Sequence, residues 1–369
     1  MALLKRIAPR LSIVLPAHIL SHQSKNPREV MMITTMKAVR LHEFGGPDVL
    51  LYEDAPHPEI TAEDVLVRVH AAGINPPDLY LRDGYRALPP QWQPASNFPL
   101  ILGTDISGTV AAVGKDVAGF RVGDEVYGMV RFPHALMTGS SAYAEYVRVP
   151  ASELALKPGG IDHIQAAGAP MSLLTAWQFL VDLGHDVPNP FQTFPHAPVP
   201  LDGKTVLVNG AGGGVGHLAV QIAKWRGAKV IGVASGKHEA LLRELGADAF
   251  IDHTMVAAET VAKDVDLVVD AVGGANMERF LPIIKQNGAF FLVNPLGFSG
   301  HGQAAERKIT VSSTQVRSNG AQLTEAGRLL DDGTVRVVID STYPLAEASS
   351  AHRRASERSI QGKIVLIVA

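Results

Sequence analysis

Residues 72–86 read AGINPPDLYLRDGYR and bring an amide (Asn75), a carboxylate (Asp78) and two phenols (Tyr80 and Tyr85) close together. The 369-residue chain contains no cysteine. Thiolate nucleophiles, disulfides and cysteine-ligated zinc are therefore excluded. What this segment offers is hydrogen-bond donation from Asn75, Tyr80 and Tyr85, aimed at an oxygen on which charge develops. Asp78 reads as a structural residue that ties the loop to nearby backbone.

A second stretch, VLVNGAGGGVGHLA from Val206 to Ala219, supplies the reagent such donors would serve. It reads as a strand, a glycine turn and the start of a helix. Glycines there turn tightly and let backbone N–H groups approach a pyrophosphate, and the helix N-terminus adds its dipole. The spacing that fits is Gly210-x-x-Gly213-x-x-Gly216, with Gly214 and Val215 at the helix start. About 20 residues beyond the glycines, NAD sites carry an acid for the ribose 2′-hydroxyl. Here Ser235, Gly236 and Lys237 stand at that place, and the first acid is Glu239. A hydroxyl and an ammonium suit a 2′-phosphate, so NADPH is the expected cofactor. Gly273 and Gly274, after the strand DLVVDAV, and Val293 and Asn294, after AFFLVN, fall at strand carboxyl ends where ligands collect.

Two kinds of element must position these residues. From Met36 to about residue 155 the chain is β-rich, with MKAVRL, VLVRVHAAG, DISGTVAAVG and YAEYVRVP separated by Gly, Pro and Asp turns. That pattern predicts a small, irregular β-barrel. From about residue 160, MSLLTAWQFLVDLG predicts a helix capped by Gly184, and Asp186–Pro200 is a proline-rich loop. Strands and helices then alternate, as in a parallel sheet covered on both faces. NMERFLPIIKQ is expected to be one of the helices, RKITVSST the last strand, and Leu345–Ala355 a later helix. The terminal strand KIVLIVA is expected to return to the β-rich part.

Hydrophobic residues make up 46% and the net charge is −3, which argues against a phosphate-driven nucleic-acid protein. Residues 1–35 are distinct, with Lys5, Arg6, Arg10, Lys25 and Arg28 against Glu29. They read as a disordered extension, which places the protein in the cytoplasm, or as a transit peptide, which places it in mitochondria. Pro9 and Pro16 interrupt an apolar run too short for a membrane span. No H-E-x-x-H pair occurs among the fourteen histidines, most of which read as surface residues. A serine hydrolase is not supported, because GFSGH at 297–301 lacks the final glycine of G-x-S-x-G.

With GINPPDLYLRDGY, LGTDISGTVAAVG, RVGDEVYG, LTAW, GAGGGVGHLAVQIAKWRGAKVIG and LGADAFIDH in view, the chain from Met36 to its end resembles the medium-chain dehydrogenase/reductases. Within them it resembles the zinc-independent quinone oxidoreductase branch. The resemblance implies an α/β protein with a GroES-like β-barrel catalytic domain (36–159 and 319–369). It also implies a Rossmann domain with a doubly wound parallel sheet (160–318), a cleft between the two, and a homodimer. It places Asn75, Tyr80 and Tyr85 at the nicotinamide cleft, Thr175 of LTAW beside the nicotinamide, and His253 where relatives often carry a tyrosine near the adenosine. Zinc relatives carry Cys and Gly-His-Glu where this chain has INPPD and Gly103-Thr104-Asp105, so no catalytic metal is expected.

The expected activity is hydride transfer from NADPH to a quinone or an α,β-unsaturated carbonyl. Alternatives are an enoyl or imine reductase of specialised metabolism, or an NADPH-binding protein with little turnover. A small-molecule substrate is expected, and neither nucleic acid nor a membrane.

Overall fold

The computed structural model describes residues 35–368, apart from 89, 91–92, 95–96, 135–140, 188–195 and 358. Residues 1–34 and the centre of the proline-rich loop thus lie outside the described residues.

The first part carries strands β1 (Thr35–Leu41), β2 (Leu51–Pro56), β3 (Asp64–Gly73), β4 (Leu100–Ile101), β5 (Asp105–Val113), β6 (Glu125–Met129), β7 (Tyr146–Pro150) and β8 (Leu154–Leu156). Helix α1 (Pro76–Arg82) leaves the end of β3. Strands β2, β1 and β4 form one antiparallel sheet. The larger sheet contains β3, β5, β6 and β8, with β7 also on β3. Alternating side chains such as Val65, Val67 and Val69 fill a core with Leu41, Ile106, Val126 and Val147.

Two helices, α2 (His163–Gly168) and α3 (Pro170–Leu180), lead into the second part. There the strands are β9 (Thr205–Asn209), β10 (Lys229–Ala234), β11 (Ala249–Asp252), β12 (Val265–Asp270), β13 (Ile284–Leu292) and β14 (Thr310–Ser312). Their order is β11-β10-β9-β12-β13-β14 and every pairing is parallel. Strand order therefore reverses between β9 and β12, which opens the crevice where ligands bind such sheets. Helix α4 (Gly214–Trp225) follows β9; α5 (Glu239–Glu244), α6 (Ala258–Val261) and α7 (His301–Glu306) are shorter. All of α3 is buried, and its Trp177 and Phe179 join the core formed with α4 and the sheet. Burying side chains of that size contributes about 1.5–3 kcal/mol each.

The chain then returns through α8 (Gly320–Asp331), β15 (Ile339–Pro344), α9 (Ala348–Ser356) and β16 (Lys363–Ile367). Strand β16 pairs antiparallel with β3 and parallel with β15, so the terminal strand joins the first part's larger sheet.

Three local expectations change. NMERFLPIIKQ is not an α-helix: Met277–Ile283 is a 3-10 segment containing Pro282, which lacks the N–H a helix needs, and β13 takes Ile284 onward. The helix before the proline-rich loop ends at Leu180, not at Gly184. Gly184 has φ +68° and lies against the Gln322 side chain. Helices α1, α2, α6, α7 and α8 were not expected, being short or, in α8, weakly apolar in sequence.

Candidate active site

Asn75 is the residue from which the candidate site is built. It caps α1 in an extended conformation, and Pro76 at the first helical position has its φ preset. The Asn75 N–H donates to Asp78 Oδ2 at 2.8 Å, so Asp78 does tie this loop to backbone. The Asn75 side chain is used elsewhere. Its Nδ2 donates to Asp105 Oδ2 at 2.9 Å and to Thr104 Oγ1 at 3.4 Å, and its Oδ1 accepts from Lys363 Nζ. With 2% exposure, the amide is locked at both ends.

Lys363, the first residue of β16, also donates to the Ile74 carbonyl at 3.0 Å and lies 3.9 Å from Asp105 Oδ2. Both oxygens of Asp105 accept from the Met171 N–H, at 3.0 and 3.1 Å. Met171 is in the first turn of α3, where N–H groups lack intrahelical partners. Burial pushes the Asp105 carboxyl up to about 6, against the pull of Lys363, and lowers the Lys363 ammonium.

Behind Asp78 runs a buried chain of side chains. Tyr143 donates to Asp78 Oδ2 at 3.1 Å, and His352 Nε2 meets the Tyr143 hydroxyl at 3.2 Å. Arg82 Nη1 donates to His352 Nδ1 at 3.1 Å. Arginine has no acceptor, so His352 carries its proton on Nε2 and passes it to Tyr143. Burial, then the neighbouring Arg82, hold His352 at about 3, a neutral imidazole. Burial lifts Asp78 to about 7.

The two phenols differ. Tyr80 is 47% exposed, whereas the Tyr85 hydroxyl is buried and has no hydrogen-bond partner among the described residues. Their rings lie 6.0 Å apart. The Tyr85 N–H donates to the Tyr80 carbonyl at 2.8 Å, so α1 carries Tyr85 rigidly. Tyr85 also adopts φ +51°, a strained conformation of the kind found at functional sites.

The glycine turn lies next to this cluster. Gly210 has φ +77°, Gly213 caps α4, and Gly214, Val215 and Gly216 form its first turn with N–H groups free of intrahelical partners. A Cβ on Gly216 would lie 2.1 Å from the Gly210 carbonyl oxygen, so the turn requires glycine there. A Cβ on Gly214 would lie 3.1 Å from both Lys363 Cδ and Ser172 Oγ, which puts the Lys363 stem against the helix start. His217 packs beneath the turn, with Nδ1 on the Gly213 carbonyl at 2.9 Å and Nε2 accepting from Val338 N–H. Burial lowers it to about 4. Strand, glycine turn and helix start thus follow one another in the order the sequence predicts.

The other expected cofactor residues surround this turn. Thr175 is buried one turn beyond Met171 and donates to the Met171 carbonyl at 2.7 Å. Gly273 (φ +69°) packs on Asn294, and Val293 donates to the Asp270 carbonyl, so Gly273, Gly274, Val293 and Asn294 form adjoining strand ends. Ser235 follows β10, Lys237 Nζ donates to the Ser359 carbonyl at 2.5 Å, and the His253 N–H donates to the Ala234 carbonyl. Gly212 lies against the His238 ring, which connects this corner with the glycine turn. Asp252, which was not expected here, places Oδ2 2.4 Å from where a Gly236 Cβ would stand.

Sequence reasoning missed Lys363, Tyr143, His352 and the role of Asp105. Lys363 was legible as a lone cation opening an otherwise apolar terminal strand. The long separations in sequence gave no signal for the others. Of the fourteen histidines, His196, His217, His238 and His352 are buried, and the other described ones are at least partly exposed, as expected of most.

The chain matches the family described as "Alcohol dehydrogenase GroES-like domain" over residues 61–159 and "Zinc-binding dehydrogenase" over 245–366. It is 31% identical to a mitochondrial NAD(P)H oxidoreductase of Danio rerio, over 91% of this chain and 92% of that one. The chain is a medium-chain dehydrogenase/reductase of the quinone oxidoreductase branch. As a member of that branch it is an oxidoreductase. An NADPH-dependent alkenal/one oxidoreductase of Arabidopsis thaliana is 32% identical, over 90% of this chain and 79% of that one. The solved quinone oxidoreductase of Coxiella burnetii superposes with a TM-score of 0.77 at 31% identity, covering 91% of this chain and all of that one. Among the described residues, no helix is long and apolar enough to cross a membrane.

Proposed function

We propose that this medium-chain reductase transfers hydride from NADPH to a quinone or an α,β-unsaturated carbonyl, without zinc. The observation that carries the reading is the Tyr85 hydroxyl, buried just beyond α1 and, among the described residues, without a hydrogen-bond partner. A buried polar group left unsatisfied costs about 1–3 kcal/mol, and an incoming carbonyl oxygen would relieve that cost.

The glycine turn and the first turn of α4 would hold the pyrophosphate, and Thr175, Val293 and Asn294 would flank the nicotinamide. Bound there, NADPH supplies hydride from the nicotinamide C4. Tyr85 donates a hydrogen bond to the acceptor oxygen as charge moves onto it. Tyr80, half exposed beside it, lines the mouth of the site. Asn75 fixes the start of α1 rather than touching the acceptor, because both ends of its amide are already engaged.

The donor set supports a metal-free reaction. The places equivalent to the zinc ligands hold an amide, a hydroxyl and one carboxylate, and that carboxylate already accepts from Asn75 and Met171 and faces Lys363. Such a set is a poor site for zinc. An acceptor conjugated enough to need little activation fits it better.

Lys237, Ser235 and the exposed His253 support NADPH over NADH, as does the name of the Arabidopsis relative. Asp252 puts a carboxylate at the same corner and so moderates the preference. We further propose a homodimer joined through an edge of the parallel sheet, where β11 and β14 are the outer strands. A cytoplasmic or mitochondrial location depends on the native N-terminus, which mass spectrometry reads directly.

The test is NADPH oxidation followed by absorbance against a panel of quinones and enones. Turnover on at least one class supports the proposal. Tight NADPH binding with no turnover on any of them would replace it with a non-catalytic binding role.

A further inference from the structure

Lys363 opens the terminal strand β16 and meets both the start of α1 and the glycine turn. Its ammonium holds the Ile74 carbonyl and the Asn75 side chain, the two residues from which α1 springs. Helix α1 in turn fixes Tyr85 through the Tyr80 carbonyl. The neighbouring Gly362 donates its N–H to the Gly212 carbonyl at 2.9 Å, inside the glycine turn. The aliphatic stem of Lys363 lies against Gly214. Asp105 balances the charge and attaches the same cluster to the first turn of α3.

We infer that Lys363 is the positioning residue for hydride transfer: it sets the register between the dinucleotide turn and the helix that carries Tyr85. The inference deepens the function proposed above and rests on a nicotinamide cofactor occupying the glycine turn. No other described side chain bonds to the start of α1 while its stem lies against the glycine turn. A neutral apolar residue at 363 would leave α1 free to shift. A misplacement of about 1 Å can cost on the order of 10²-fold in rate.

A structural ion pair alone would explain part of this arrangement, so the test separates the two roles. Lys363→Met leaves the buried Asp105 carboxylate without its ammonium partner, whereas Lys363→Met combined with Asp105→Asn removes both charges of that pair. Affinities for NADPH and for 2′,5′-ADP, which lacks the nicotinamide half, are measured by fluorescence titration, alongside melting temperature and single-turnover hydride transfer.

The expected result is that the double variant melts close to the wild type. In both variants 2′,5′-ADP affinity is kept, while NADPH loses about tenfold in affinity, the size of one charge-assisted hydrogen bond. Hydride transfer stays slow in both. If Lys363→Met does not fold, the double variant decides alone. Recovery of NADPH affinity and hydride transfer together with stability in the double variant would reduce Lys363 to a structural role and overturn the inference. A wild-type protein that binds NADPH but reduces no acceptor would defeat the proposed function, while the ratio of the two affinities would still judge Lys363.

Discussion

Tyr85→Phe removes one hydroxyl and leaves the ring in its apolar surroundings with Phe44, Leu81 and Phe98. In the free protein that hydroxyl is buried and makes no hydrogen bond to the described residues. Its desolvation is therefore uncompensated, a cost of about 1–3 kcal/mol that the substitution removes. In a chain of 369 residues, 1 kcal/mol moves the melting temperature by about 1 °C, so the variant should melt at least ~1 °C higher. Activity should move the other way. Losing a donor aimed at a developing oxyanion costs about 10²–10³ in kcat. Tyr143→Phe is the control with the opposite sign. Its hydroxyl joins Asp78 to His352 in the interior, and removing it should cost about 1–3 kcal/mol. Scanning calorimetry and steady-state NADPH oxidation on the same preparations give both numbers. A Tyr85→Phe protein that is less stable than wild type, or that turns over at the wild-type rate, would refute the assignment of Tyr85 as the donor.

Gly216→Ala forces a methyl group to 2.1 Å from the Gly210 carbonyl oxygen. Backbone there cannot swing aside, so NADPH affinity in a fluorescence titration should fall at least ~10-fold, with a loss of about 1–3 kcal/mol in stability. Lys237→Ala should lower the preference for NADPH over NADH and Asp252→Asn should raise it, each by about threefold to tenfold, as expected for partly exposed charges. A Lys237→Ala enzyme with unchanged preference sinks that assignment. The pH dependence of stability follows from His352. Its pKa is depressed from the ordinary 6.5 to about 3, so its contribution is complete above 6.5 and is lost as the pH falls towards 3. Between pH 6.5 and 5 the loss is about 2 kcal/mol. Asp78 and Asp105, whose values are raised, act in the opposite direction on acidification. The stability difference between wild type and His352→Gln, measured by urea unfolding at each pH, isolates the histidine. A difference that stays flat across that interval would contradict the buried neutral state.

The parallel sheet and the glycine turn were legible because local chemistry dictates them. Alternating apolar strands and Gly210, Gly213 and Gly216 leave few other arrangements. Asn75 and Tyr85 were legible as candidate donors, but the engagement of the Asn75 amide within the protein was not. That depended on Lys363 and Asp105, which lie 288 and 30 residues from Asn75 and meet it only through the pairing of β16 with β3 and of β3 with β5. Which histidines are buried was not legible for a related reason. His217 has its partners on the Gly213 carbonyl and on Val338, and His352 has Arg82 and Tyr143. Period alone does not show whether a polar residue on a helix finds such partners in the interior. The segment at 277–283 misled because its apolar spacing suits a helix, while Pro282 removes the donor a helix would need.

The central claim is that hydride passes directly from NADPH to a conjugated acceptor in a cleft that works without metal. The most direct measurement uses chelator-dialysed protein, NADPH deuterated at C4 and an enone found to be turned over, with the product analysed by NMR. The account predicts deuterium at the β-carbon of the product, at a rate unaffected by the chelator. A rate restored only by added zinc, or deuterium at the carbonyl carbon, would contradict it.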